Sequence, residues 1–168
     1  MKIELAKTEI IHFIGIGGIG MSGLSLIMKA KGFKIQGSDL NLNKNVERLK
    51  KEKIKVFIGQ KKQNLKNATI VVISSAIKKN NPEIIEAKRK NLPIITRGKM
   101  LAHIVSLTKN IVVVGSHGKT TTTSLITSIF QKTKLDPTII NGGVINSIRN
   151  TAKLGKSDWS ILEADESD

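Results

Sequence analysis

The sequence contains no cysteine and no tyrosine. Disulfides and thiolate metal sites are therefore excluded. Aromatic residues make up only 3% of the chain, which argues against a stacking platform for nucleic-acid bases. Proline occurs three times. No apolar run approaches the roughly 20 residues that span a bilayer. The opening stretch MKIELAKTEIIHFIGIGG carries Glu4 and Glu9 and leads straight into a strand pattern, so it lacks the layout of a signal peptide. These absences predict a cytoplasmic protein with neither a membrane nor a nucleic-acid partner. They leave its oligomeric state open.

Acidic residues are also scarce, 13 against 28 Lys and Arg, for a net charge of +15. The lysines are spread along polar stretches such as NKNVERLKKEKIK and AIKKNNPEIIEAKRKN. That distribution reads as a solvated surface. Its field would still attract anionic nucleotides.

What is present is a repeated order of strand, turn and helix. Residues 10–14 (IIHFI) read as a buried strand, GIGGIG as a turn, and MSGLSLIMKAKG as a helix ending near Gly32. The apolar runs IVVI and IVVV are what two-sided burial in a parallel sheet requires. Alternation of this kind predicts an α/β fold, a parallel sheet with helices on both faces. A break is expected at Thr108–Asn110, where a second strand, glycine loop and helix begin. Residues 1–108 then form a Rossmann-like domain and residues 109–168 the start of a P-loop ATPase domain. The second unit has few residues for a core of its own and stops at Asp168 directly after a strand. The expectation is that the chain is the front part of a longer protein.

Gly15, Gly17 and Gly20 form G-x-G-x-x-G between a strand and a helix, with Asp39 19 residues beyond Gly20 at the end of the next strand. This is the setting of a dinucleotide fingerprint. The first glycine permits the turn, the second lets backbone N–H groups reach a pyrophosphate, and the third lets helix and strand approach. The helix N-terminus favours the anion. Asp39 could accept hydrogen bonds from ribose hydroxyls. The motif specifies a pyrophosphate-bearing nucleotide but does not separate NAD from a UDP-sugar. His12, inside the strand, reads as a satisfied core or edge histidine in preference to a catalyst.

A second loop, Gly115, Ser116, His117, Gly118, Lys119, Thr120 and Thr121, follows the strand IVVV and opens a helix. Its backbone N–H groups would cradle the β- and γ-phosphates of ATP, and Lys119 would neutralise them. The Thr120 hydroxyl would sit on Mg²⁺. The hydroxyls of Thr121, Thr122 and Thr123 could satisfy free N–H groups and touch phosphate. The pattern departs from G-x-x-x-x-G-K-[ST], because position 113 is Val. A second metal-binding carboxylate is needed at a neighbouring strand end. WSILEADESD offers Glu163, Asp165, Glu166 and Asp168, of which Glu163 directly follows the apolar run.

Two different glycine loops in one chain narrow the field. IHFIGIGGIGMSGLS resembles the N-terminal signature of the Mur ligases that add the first amino acid in peptidoglycan synthesis. The resemblance continues, in order, through GSD (Gly37 to Asp39), VVISSAI, NPEI, TRGKMLA, GSHGKTTTT, LDPTIINGG and LEADESD. It implies ATP-dependent amide formation: the carboxylate of UDP-N-acetylmuramate takes the γ-phosphate, and the amine of L-alanine then displaces phosphate. It implies that Gly15, Gly17, Gly18 and Gly20 contact the UDP-sugar, with Asp39, Ser74, Ser75 and Arg97 as further contacts. Lys119 and Glu163 become the catalytic pair, with Thr120 and Glu163 on Mg²⁺, and Gly142 and Gly143 match a substrate-loop motif. Departures are Ser116 where Thr is common, and Gly98 and Lys99 where Ala and Glu are usual. Alone, the chain is expected to show no turnover and weak or absent ATP binding. Two alternatives stand beside this reading: a nicotinamide-dependent dehydrogenase, which leaves GSHGKT and LEADESD unexplained, and a non-catalytic nucleotide-binding module.

Overall fold

A computed structural model describes residues 5–145, 150–153 and 155–163. The chain divides into two compact units, one up to Met100 and one from Leu101 onward. Each is described by itself.

The first unit is a five-stranded sheet of β1 (Ile10–Ile14), β2 (Lys34–Asp39), β3 (Lys55–Ile58), β4 (Ile70–Ile73) and β5 (Ile94–Thr96), in the order β3-β2-β1-β4-β5. Every pairing is parallel. The order reverses between β1 and β4, and ligands of such sheets bind in the crevice outside the strand ends at that point. α1 (Ile19–Ala30) and α2 (Lys44–Lys51) form the β1-to-β2 and β2-to-β3 connections, and α3 (Pro82–Arg89) joins β4 to β5. A short 3-10 turn, Lys62–Leu65, precedes β4.

Strand alternation sends successive side chains to opposite faces. Ile14 and Val71 pack with Leu65, Ala68, Ile84 and Ala87, so the 3-10 turn and α3 close one face. Ile11 and Phe13 are fully buried in the alternate register, on the side where α1 and α2 pack against β2 and β3. Each such side chain contributes about 1.5–3 kcal/mol by leaving water. Helices α2 and α3 start where side chains satisfy their free N–H groups. Asn43 accepts from Val46 N at the head of α2, and Asn81 accepts from Glu83 N, with Pro82 opening α3.

The second unit contains most of α4 (Arg97–Val105), then β6 (Lys109–Val113), α5 (Lys119–Gln131), β7 (Thr138–Ile145), β8 (Asn150–Lys153) and β9 (Trp159–Glu163). Its sheet has the order β6-β9-β7-β8. β6, β9 and β7 are parallel, but β8 runs antiparallel to β7. The expected all-parallel sheet therefore acquires an antiparallel edge. β8, with the sequence NTAK, has no apolar run to announce it, because an edge strand need not be buried on two faces. Asp165, Glu166 and Asp168 lie outside the described residues.

Candidate nucleotide sites

The first glycine loop sits at the C-terminal end of β1 and is held by the end of β2. Gly15 N and Ile16 N both donate to Ser38 O, at 2.8 and 2.9 Å. Gly17 N donates to Asp39 Oδ2 at 2.8 Å. Gly15 has φ +75°, a conformation that L side chains rarely adopt. Helix α1 begins at Gly18 with no acidic residue in its first turn, which leaves the positive end of its dipole uncompensated from within.

Asp39 was expected to face ribose hydroxyls. Its carboxylate accepts from Gly17 N and, at 3.3 Å, from Asn41 N, so it braces the loop. A carboxylate has about four acceptor positions, and two of these remain for a ligand hydroxyl. The opposite side of the loop is held by α2, where Asn45 Nδ2 donates to Gly17 O at 2.9 Å; sequence reasoning missed this contact.

Gly20 has a reason that differs from the expected one. A Cβ there would lie 2.6 Å from Arg97 Nη1. The third glycine therefore makes room for the guanidinium at the start of α4, while Gly37 is where β2 approaches β1 and the loop residue Ile16 most closely. A Cβ on Gly37 would meet Phe13 O and Ile16 Cδ1, each at 2.6 Å. The structure thus brings Arg97 to the loop, although the two are far apart in sequence. Ser74 and Ser75 follow β4 and open the turn that carries Ile77. Ile77 Cδ1 lies 3.1 Å from the Cβ position of Gly15. That turn and the glycine loop meet across the β1–β4 reversal. His12 is fully buried, as expected of a core histidine, but only Nδ1 is paired, 3.1 Å from Gln36 Nε2, while Nε2 has no hydrogen-bond partner. A depression of about 400 Å³ lined by Lys62, Gln63, Lys66, Glu86, Arg89 and Lys90 lies at the end of α3 leading into β5, away from the loop.

In the second unit, the loop from Gly115 to Gly118 joins β6 to α5. Gly118 is the N-cap of α5 and has φ +75°. Ser116 and His117 are exposed, as is Thr121 in the first helical turn. Lys119 Nζ donates to Gly115 O at 2.7 Å, drawing the side chain back over the loop. The pairing of β6 with β9 sets Val113 opposite Glu163. Both strands therefore end together, and Thr120 Oγ1 lies 3.2 Å from each Glu163 oxygen. These two groups are the ones that sequence reasoning selected as metal ligands. A hydroxyl and a carboxylate meeting at a phosphate loop suit Mg²⁺, which takes few protein oxygens and completes its shell with phosphate and water. Among the described residues, no cluster of three or more His, Asp or Glu offers a competing metal site. Thr123 departs from expectation. Its hydroxyl is buried without a hydrogen-bond partner, as is that of Thr127, so it faces the protein interior and cannot touch phosphate.

Sequence reasoning also missed a buried polar group beside β2. Glu83, Ser38, Asn64, Gln36 and His12 are all buried and linked to one another. For His12, Gln36 and Ser38 the signal in the sequence is a polar residue at a strand position that alternation assigns to the core; Glu83 on α3 and Asn64 on the 3-10 turn carry no such signal.

A doubly wound domain with a braced glycine loop is followed by a second strand, glycine loop and helix whose Thr120 meets the strand-end Glu163. A family model described as "Mur ligase family, catalytic domain" matches residues 10–109, and the chain belongs to the Mur ligase family. It is 78% identical over its whole length to the UDP-N-acetylmuramate–L-alanine ligase of Pelagibacter ubique, and 49% identical to that of Brucella ovis. It spans 36% of the length of each of these curated relatives. The crystal structure of UDP-N-acetylmuramate–alanine ligase from Thermotoga maritima aligns with a TM-score of 0.84 at 30% identity, covering 93% of this chain and 37% of that one. The UDP-N-acetylmuramate:L-alanyl-γ-D-glutamyl-meso-diaminopimelate ligase of Neisseria meningitides aligns with a TM-score of 0.82 at 29% identity, covering 94% and 53%.

Proposed function

We propose that this chain is the nucleotide-handling part of an ATP-dependent ligase that joins L-alanine to UDP-N-acetylmuramate in cytoplasmic peptidoglycan synthesis. The observation that carries the reading is the coexistence of two loops of different chemistry. One is a braced glycine loop with Arg97 beside it, and the other is a P-loop with Thr120 facing Glu163. A dehydrogenase needs only the first. Residues 1–108 bind the UDP-substrate and residues 109–168 begin the ATP-binding part. Gly15 to Gly20, Asp39, Ser74, Ser75 and Arg97 hold the UDP-sugar. Gly115 to Thr121 hold the phosphates of ATP.

In the proposed reaction a carboxylate oxygen of the muramate attacks the γ-phosphorus, and ADP leaves. The alanine amine then attacks the acyl carbon, loses a proton and expels phosphate. Such chemistry relies on alignment and charge neutralisation. Lys119 supplies a cation at the γ-phosphate, and Thr120 with Glu163 would hold Mg²⁺, which withdraws charge from the phosphate oxygens. The pairing of β6 with β9 ends at Val113 and Glu163, which supports the approach of Thr120 to Glu163.

Two measurements test the reading. Calorimetric titration of the chain should show saturable binding of UDP-N-acetylmuramate and none of NADH; the reverse order rejects it. A chimera in which these 168 residues replace the matching 36% of the Pelagibacter relative should release phosphate only when UDP-N-acetylmuramate, L-alanine, ATP and Mg²⁺ are all present. Alanine-independent release would sink the proposal.

A further inference from the structure

The buried polar group beside β2 has no part in the reading above, although it borders the UDP-substrate loop. Buried polar side chains are costly unless paired, and the hydrogen bonds that pair them hold the bonded members in one arrangement. Here the pairing converges on Glu83, which is fully buried in the first turn of α3. Its Oε2 accepts the Ser38 hydroxyl at 2.5 Å. Its Oε1 accepts Asn64 Nδ2 at 2.7 Å, and His12 Nε2 lies 3.4 Å away. Gln36 Nε2 donates both to Asn64 O and to His12 Nδ1. The His12 Nε2 approach to Glu83 falls short of a hydrogen bond, so Nε2 is the one atom of the group left without a partner. The N-terminal turn of α3 favours an acidic side chain at this position.

Ser38 is the link between this network and the loop. Its carbonyl accepts Gly15 N and Ile16 N, and the next residue, Asp39, accepts Gly17 N. Three successive N–H groups of the loop are therefore held by two residues at the end of β2. The side chain of the first is fixed by Glu83. We propose that Glu83 is a positioning residue for the UDP-substrate loop, acting through Ser38. The inference rests on reading Gly15 to Gly20 as that loop.

The test is a double-mutant cycle in affinity. UDP-N-acetylmuramate is titrated calorimetrically into wild type, Glu83→Gln, Ser38→Ala and the double variant, with melting temperatures recorded for each. Both single variants should weaken binding about tenfold, the size of one lost buried hydrogen bond, and the double variant should be no worse than the weaker single. The amide NMR signals of Gly15, Ile16 and Gly17 should move in both. Ile84→Val, one residue along α3 and packed in the apolar cluster, should lower the melting temperature while leaving affinity unchanged. Wild-type affinity in Glu83→Gln, multiplicative losses in the double variant, or equal weakening by Ile84→Val would each overturn the proposal. If Glu83→Gln does not fold, Ser38→Ala decides, and wild-type affinity with unmoved Gly15 and Ile16 signals rejects it. If wild type itself binds no UDP-N-acetylmuramate, the reading of the loop fails. The amide signals then judge the positioning claim alone, and unmoved signals overturn it.

Discussion

Glycines that look alike in the motif answer to different neighbours in the fold. The Cβ of an alanine at position 20 would meet the far end of an arginine, which can swing away. At position 37 it would meet a backbone carbonyl, which cannot. Gly20→Ala should therefore change stability by less than about 1 kcal/mol, because helix propensity improves by about that amount. It should also weaken UDP-N-acetylmuramate binding by displacing Arg97. Gly37→Ala should cost about 1–3 kcal/mol through overpacking. Urea unfolding and calorimetric titration of both variants check this, and equal stability losses would contradict it. The pairing of Thr120 with Glu163 was legible in the sequence, because P-loop chemistry demands a strand-end carboxylate. The bracing of Gly17 by Asp39 was not, because the same acid satisfies either a ribose or a loop N–H.

Among the elements, the strands and helices flanking both loops were readable from apolar runs, glycines and caps. The edge strand β8 was not, having neither alternation nor apolar content. An ion pair links its last residue to the segment before β7. Lys153 Nζ donates to Asp136 Oδ1 at 2.7 Å, and Lys156 N adds a longer bond to Oδ2. The Lys153 hydrogen bond holds the Asp136 carboxyl below its ordinary pKa, against the opposing effect of burial. A depressed folded-state pKa contributes stability that is complete above the unfolded value of about 3.9 and is lost as pH falls through the lower folded value. Both side chains are more than a third exposed, so solvent screening keeps the contribution below about 1 kcal/mol. Wild type should be slightly more stable than Asp136→Asn at neutral pH, and the two unfolding curves should converge below about pH 4. A gap that persists at pH 2 would remove the pair as its cause.

For the molecule as a whole, the dominant electrostatic feature is the charge of +15. No helix among the described residues is long and apolar enough to cross a membrane. A lysine-rich surface raises the local concentration of anionic nucleotides, and salt shortens its reach from about 10 Å at 0.1 M to about 3 Å at 1 M. Affinity for UDP-N-acetylmuramate should accordingly fall about three- to tenfold between 0.1 and 1 M NaCl. An affinity independent of salt would show that binding depends on the loop contacts alone.

The sequence by itself determined the α/β class, the two glycine loops and the choice of Thr120 and Glu163. Each of these follows from local chemistry: an apolar run must be buried, a phosphate needs backbone N–H groups, and a hard cation needs oxygen. Only the tertiary structure decided which groups meet. It set Val113 opposite Glu163, brought Arg97 against Gly20 and joined Glu83 to Ser38. Such contacts depend on strand order and register, which are settled by the packing of the whole sheet and leave no local mark in the chain.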